Sequence, residues 1–188
     1  MGARPVREGA GGMTEAELIA LMATQIEAEA ARRAVTLTVV RAFQPTHEGR
    51  SLTGPMIYVF PVTAIRGGAQ GQTYTNPDDR PDELDQNRKE LWFTTFQFSA
   101  RGMPGALDAL DLLTVAWGTF NSDHARIAFR DAGCLPWAPG PIRHTYMQDE
   151  GARQEAHPSF DVTMGHHRSM VDNWPAIADH GPEFYPVN

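Results

Sequence analysis

Leu91-Trp92-Phe93-Thr94-Thr95-Phe96-Gln97-Phe98-Ser99-Ala100, followed at once by Arg101-Gly102-Met103-Pro104, is the stretch on which the fold turns. Trp92, Phe96, Phe98 and Ala100 fall on one side of an extended chain, with only Thr94 polar among them, while Thr95, Gln97 and Ser99 line the other. That period of two marks a half-buried strand, and its aromatic face needs a cover. The next segment supplies one: Pro104 suits a first helical turn, and Ala106, Leu110, Leu113, Trp117 and Phe120 recur at helical spacing to Asn121. A strand answered directly by an amphipathic helix predicts an α+β domain in which helices cover a sheet.

Toward the N-terminus, Thr14-Glu15-Ala16-Glu17 reads as a capping box. It predicts a helix over residues 15–32, with Leu18, Met22, Ile26 and Ala30 on the buried face, widened by Ile19 and Ala23. Gln25, Glu27 and Glu29 fall on the wet side, and Glu15, Glu17, Arg32 and Arg33 complement the macrodipole. Residues 35–43 then alternate, with Val35, Leu37, Val39 and Phe43 on one side of a β-branched strand. A long polar connection, 44–54, is expected to turn this strand into a hairpin with a second one, 56–65. Tyr58, Phe60 and Val62 share one face of that strand and Ile57 and Val59 the other, and Pro61 places it at an edge or a bulge.

Residues 67–89 are expected to form an extended acidic loop, since six carboxylates from Asp78 to Glu90 face only Arg80, Arg88 and Lys89. Beyond the central helix, Ser122 and Asp123 can cap a short helix that ends near Ala132, closed by Gly133 in the left-handed region. Residues 134–141 are too rich in proline for a regular element, while 142–146 can form a short strand. Phe160, Val162 and Met164 alternate with Asp161 and Thr163 in a late core strand over 159–166, and 171–177 reads as an edge segment. The expected architecture is a mostly antiparallel sheet of about 4–5 strands covered by two main helices plus a short helix. It occupies a single domain, 14–178, between a flexible N-terminal arm, 1–13, and a C-terminal tail, 179–188.

The length of 188 residues fits one domain, and 41% hydrophobic with 21% charged residues suffices for a real core. Fourteen Pro and 17 Gly point to long punctuated connections. No run approaches the roughly 18 apolar residues that span a bilayer, and residues 1–12 lack the apolar centre of a signal peptide, so a cytosolic origin is expected. Cys134 stands alone, which excludes an intrachain disulfide and a thiolate zinc cage and predicts a buried, inert thiol. A net charge of −7 excludes a general nucleic-acid binder, because phosphate affinity comes mainly from clustered Lys and Arg.

Seven His invite a metal reading, with His144, His157, His166, His167 and His180 in the last quarter of the chain. His166 and His167 would point to opposite faces of a strand, and no helical HExxH pair is present, so surface histidines are the expectation. No GxSxG elbow, Walker lysine or EF-hand spacing occurs either. Catalytic, cofactor-binding and metal-binding residues are therefore expected to number none. What remains is an interface: Asp78, Asp79, Arg80, Asp82, Glu83 and Asp85 as a docking loop, with Trp137 and Trp174, each beside proline, as anchors. The competing reading is a small cytosolic enzyme or ligand-binding domain with a site built from His144, His157 and His166.

The order of elements, together with Pro55-Met56-Ile57-Tyr58, Phe96-Gln97-Phe98-Ser99-Ala100-Arg101-Gly102, Ala132-Gly133-Cys134, Gly140-Pro141-Ile142 and Glu155-Ala156 ahead of Phe160-Asp161-Val162, resembles the phage tail terminator or neck terminator family. The resemblance covers residues 14–177; Pro158 at the start of the late strand and the long 44–54 connection depart from it. It implies a non-enzymatic virion protein, assembled in the host cytoplasm, that forms a homohexameric ring at the head-proximal end of a tail. The implied partners are other copies of itself, the tail-tube protein, a head-side connector or adaptor, and sheath or collar proteins. It implies no cofactor and no membrane, and DNA would pass through the ring without specific binding. Another ring-forming head-tail joining protein shares the same assembly logic.

Overall fold

The computed structural model describes residues 7–8, 12–41, 54–75, 83–102, 107–148 and 154–175. The capping box forms: the Thr14 hydroxyl accepts from the Glu17 amide at 3.2 Å, and the Glu17 carboxylate accepts from the Thr14 amide at 2.7 Å. That bond from the Thr14 backbone holds the Glu17 carboxyl below its usual range. Helix α1 then runs Glu15–Arg32 and buries Leu18, Ile19, Met22, Ile26 and Ala30. Glu29, expected on the wet side, is buried as well, because Arg32 and Arg33 fold back to bond its two oxygens at 2.6 and 2.9 Å. The Arg32 hydrogen bond, ahead of the Arg33 one, lowers its pKa against the cost of burial.

The remaining elements are β1 (Arg7–Glu8), β2 (Thr38–Arg41), β3 (Met56–Thr75), β4 (Glu83–Arg101), α2 (Ala109–Thr119), α3 (Asp123–Asp131), β5 (Cys134–Pro136), β6 (Arg143–Gln148) and β7 (Gln154–Pro175). They make an α+β fold with one mixed, mostly antiparallel sheet of seven strands, more than the four or five expected. Its order is β1-β7-β4-β3-β2, with β5 and β6 also paired to β7. The pairing of β2 with β3 is parallel, from Thr38 opposite Met56 to Arg41 opposite Val59, which corrects the expected hairpin. Parallel pairing requires a crossover of about a dozen residues, and the polar stretch between Arg41 and Met56 has that length.

Two further corrections enlarge the sheet. The expected acidic loop, 67–89, is instead mostly strand, as β3 and β4 continue as partners to Thr75 opposite Asp85. The two late segments expected over 159–166 and 171–177 are, as far as Pro175, one strand, β7, which takes Pro158 in its stride where β4 pairing has ended at Ser99 opposite Ser159; residues 176–177 lie outside the described residues. Pro61 sits where expected, at a register shift between Pro61 and Thr63, and beyond the last β2 partner of β3 at Val59.

The proline-rich stretch 134–141 also departs from its reading as irregular chain. It forms β5 on the outer edge of β7 and then follows that edge, with the Trp137 and Gly140 amides donating to Thr163 and Asp161 at 2.8 Å each. Pro136, Pro139 and Pro141 lie beside those donors and not at them, so the missing N–H groups leave both bonds in place. With β6, β5, Met13 and β1 in succession, the outer edge of β7 is covered along much of its length.

Helix α2 begins at Asp108, whose carboxylate caps the Asp111 amide at 2.8 Å; Pro104 and Ala106 lie outside the described residues. Its buried face is Leu112, Leu113, Val115, Ala116 and Thr119; of the expected stripe Leu113 and Phe120 are buried, whereas Leu110 and Trp117 are 37% and 36% exposed. The helix is apolar nearly all round, so its contacts with α1, β4 and β7 choose the face. The Ser122 cap of α3 forms, and Gly133 takes φ 79° at its end. The core lies where these helices meet the sheet: Phe98 stacks on Phe160 at 5.0 Å, Phe120 meets Phe98 edge-on at 5.3 Å, and Phe129 stacks on Phe120 at 5.7 Å.

Candidate functional site: a three-stranded arm

The strands β3, β4 and β7 run on past the aromatic core as a three-stranded arm. Its rows are fixed by register: Ile65, Phe93 and Gly165; Arg66, Trp92 and His166; Gln70, Glu90 and Arg168; and so on to Thr75, Asp85 and Asn173. From Phe93 to Glu83 the arm spans about 30 Å at the usual rise of a strand. Burial on β3 ends early: Val62 is 52% exposed, Ile65 64% and Tyr74 58%. The distal strands hold together with polar cross-strand pairs, Gln86 donating to the Tyr74 hydroxyl at 3.2 Å and Asn87 to the Thr75 hydroxyl at 3.1 Å.

At the arm's root the two faces differ. On one, Glu90 is buried: the Trp92 indole donates to it at 3.1 Å, and Arg66 stands 3.6 Å away. Arg168 lies over the Trp92 ring, 4.8 Å from its centroid. On the other face the Phe93 ring occupies the space that a side chain at Gly67 would need and also packs against Gly165, so two glycines make its seat. Trp137 tilts onto Phe93 at 5.2 Å, yet remains 57% exposed, as does Leu135 beside it. The result is an apolar row of Ile65, Phe93, Leu135 and Trp137 reaching across the sheet.

The residues singled out from the sequence divide accordingly. Glu83, Asp85 and Trp174 come together at the distal end of the arm, where Glu83 pairs with Pro175, Asp85 with Asn173 and Trp174 with Leu84. Trp137 lies at the other end, against Phe93. Asp78, Asp79, Arg80 and Asp82 lie outside the described residues. Sequence reading missed Ile65, Leu135, Arg66 and Arg168; the signal available was a run of polar β-formers, Gln72-Thr73-Tyr74-Thr75, too weakly apolar to register as a strand.

The histidines do not converge. His144 and His157 occupy neighbouring rows of β6 and β7, whereas His166 is nine positions further along β7, about 30 Å away at strand rise. Contrary to the surface reading, His166 is 1% exposed. Its Nδ1 lies 3.1 Å from the Met13 carbonyl, so it donates there, and its Nε2, 2.9 Å from the Thr94 hydroxyl, accepts. Burial, with Arg168 as the next cause, pushes its pKa down and keeps the ring neutral. Cys134 is buried, and burial raises its thiol to about 11. Among the described residues, no group of three or more His, Cys, Asp or Glu is placed to hold a metal ion.

Among the described residues, the fold is thus a helix-capped sheet whose central strands extend past the helices as a polar arm. The family model described as E217 gateway protein gp29 matches residues 17–176, and the chain belongs to that family of phage head-tail connector-type proteins. That makes it a phage structural protein of the neck or gateway kind, with a role in joining head to tail. No curated protein matches the chain.

Proposed function

We propose that the protein forms a homomeric ring, six subunits in number, at the head-proximal end of a phage tail, where it ends tail-tube growth and joins the tail to the head-side connector. The observation that carries this reading is the arm. A sheet that, among the described residues, is helix-covered at one end and without helix cover for about 30 Å at the other has exposed side chains that a neighbour can bury. Heterologous contacts between an arm and the next subunit's surface close a ring when the rotation fits. The apolar row of Ile65, Phe93, Leu135 and Trp137 supplies anchors of the kind that dominate interfaces. The net charge of −7 suits a channel wall past which DNA slides.

The experiment is removal of the gene from a phage that carries it, with the lysate viewed by negative stain. Filled heads and separate tails of irregular length are expected. Separate tails of uniform length would retain joining and sink termination; intact virions would sink both. Light scattering of the purified protein is expected to find a species about six times the 20.7 kDa chain.

A further inference from the structure

Charge and apolar surface meet on one face of the sheet, at the outer edge of β7. Lys89, Leu91 and Phe93 alternate onto that face of β4, opposite Ser169, His167 and Gly165 of β7, and Leu135 continues the Gly165 row on β5. Lys89 and His167 are exposed and line a cavity of about 250 Å³, bounded by Gly12 and Met13 on one side and by Ala132 and Gly133 on the other. Among the described residues, neither side chain has a hydrogen bond or an ion pair. The carboxylates near them are committed elsewhere. Glu17 reaches the cavity but accepts from the Thr14 amide and hydroxyl at 2.7 and 2.9 Å, Asp161 is bonded by Arg143 at 2.8 Å, and Asp85 has a partner of its own. Beyond His167, Leu135 and Trp137 are each 57% exposed beside the Phe93 ring. Ile65 lies at the other end of that row, three strand spacings or about 14 Å away.

We propose that the β5 side of this face binds a segment of another virion protein, one that carries a carboxylate and a large apolar side chain two to four residues apart in extended chain. The carboxylate enters the cavity between Lys89 and His167, and the apolar group covers Leu135 and Trp137; strand rise sets the two places about 7–13 Å apart. The amine and an imidazole N–H give the carboxylate charge-assisted bonds, which set specificity. Tryptophan and leucine supply the area whose burial gives most of the affinity. The inference rests on the joining half of the reading above, because a protein that joins head to tail holds at least one chain unlike itself. It divides the apolar row between two neighbours: Ile65, on the β3 side, stays with the next copy in the ring.

The chain makes the test direct, because Lys89 is its one lysine. Carbodiimide, which joins an amine to a carboxylate with no spacer, is applied to purified virions that contain the protein. Peptides linked between chains are expected to join Lys89 to an Asp or Glu of a different virion protein, with a large apolar residue two to four positions from it. An independent reading comes from a phage complemented with Lys89→Glu combined with Leu135→Ser, both at exposed positions. Its plaque titre is expected to fall at least tenfold, with unjoined heads and tails in the lysate. The purified variant is expected to keep the parent's thermal midpoint and its mass by light scattering.

No link from Lys89 to another chain, or links only to carboxylates without such an apolar neighbour, would overturn the proposal. So would a variant that joins heads to tails as well as the parent does. Links only to other copies of this chain, or a variant whose mass falls below the parent's, would assign the face to self-contact and overturn it too. A parent that forms no ring sinks the ring reading and leaves this contact standing, whereas joining that proceeds without the gene sinks both.

Discussion

The helix-covered body and the open arm are built from the same three strands, yet they obey different rules. In the body, β4 alternates strictly, with Thr94, Phe96, Phe98 and Ala100 buried, and helices supply the second layer. In the arm the same strand carries Asp85, Gln86, Asn87, Arg88 and Lys89, and on β3 the side chains face solvent. Backbone ladders therefore continue where hydrophobic burial has stopped. Folding free energy is concentrated in the body, and the arm inherits its register from it, which frees the arm's side chains for recognition.

The largest expected effect separates the two regions outright. Phe98 is fully buried between Phe160 and Phe120, so Phe98→Ala should cost about 3–5 kcal/mol in chemical denaturation, enough to unfold much of a marginally stable domain. A loss under about 1 kcal/mol would mean that the body is not the seat of stability.

Where the regions join, His166 bonds Met13 and Thr94, and His166→Gln should cost about 1–3 kcal/mol by disrupting that buried pair of bonds. Its pKa in the fold lies below the unfolded value of 6.5, so the unfolded chain takes up the proton first. Stability from this group is complete above that value and declines as pH falls below it. Thermal midpoints between pH 7.5 and 5.5 should fall in the parent and flatten in the variant; equal slopes would show that another group carries the pH dependence.

A smaller effect is expected at the start of α1. Thr14→Ala removes the hydroxyl half of the capping box, leaving the Glu17 carboxylate its bond from the backbone amide of residue 14, and should cost about 1 kcal/mol, read by denaturation, with assembly unchanged. Smallest of all in stability is the arm: Ile65→Ser with Tyr74→Ser should move folding by no more than about 0.5 kcal/mol. The same pair should reduce self-association measurably by sedimentation. Loss of folding with assembly intact would invert the contrast between the two regions.

The body was legible because burial writes itself into sequence as period. The face of Trp92, Phe96, Phe98 and Ala100, the Thr14 box, the Ser122 cap and Gly133 each follow from local rules that the structure obeys. Two kinds of error mark where such rules run out. Helix α2 is apolar on most sides, so its period does not choose between Leu110 with Trp117 and Leu112 with Ala116; the neighbouring elements do. The arm has almost no apolar period, and its polar strands exist because β4 continues to pair with β3 and β7 over long registers.

Of the proposed interface, sequence reading names Glu83 and Asp85 for their charge and Trp137 and Trp174 as aromatic residues beside proline. Arg66 and Arg168 are not named, because they gain meaning only when β3 and β7 are set beside Glu90 and Trp92. The sequence by itself determined the class of fold, the helix caps, the aromatic strand and the acidic charge, all of which depend on residues within a few positions of one another. Only the tertiary structure decided that β2 runs parallel to β3, that β7 is one strand of 22 residues, and that much of an acidic stretch continues as strands of a three-stranded arm. Those outcomes depend on hydrogen bonds between residues tens of positions apart, where the pairing partner and not the local pattern supplies the free energy.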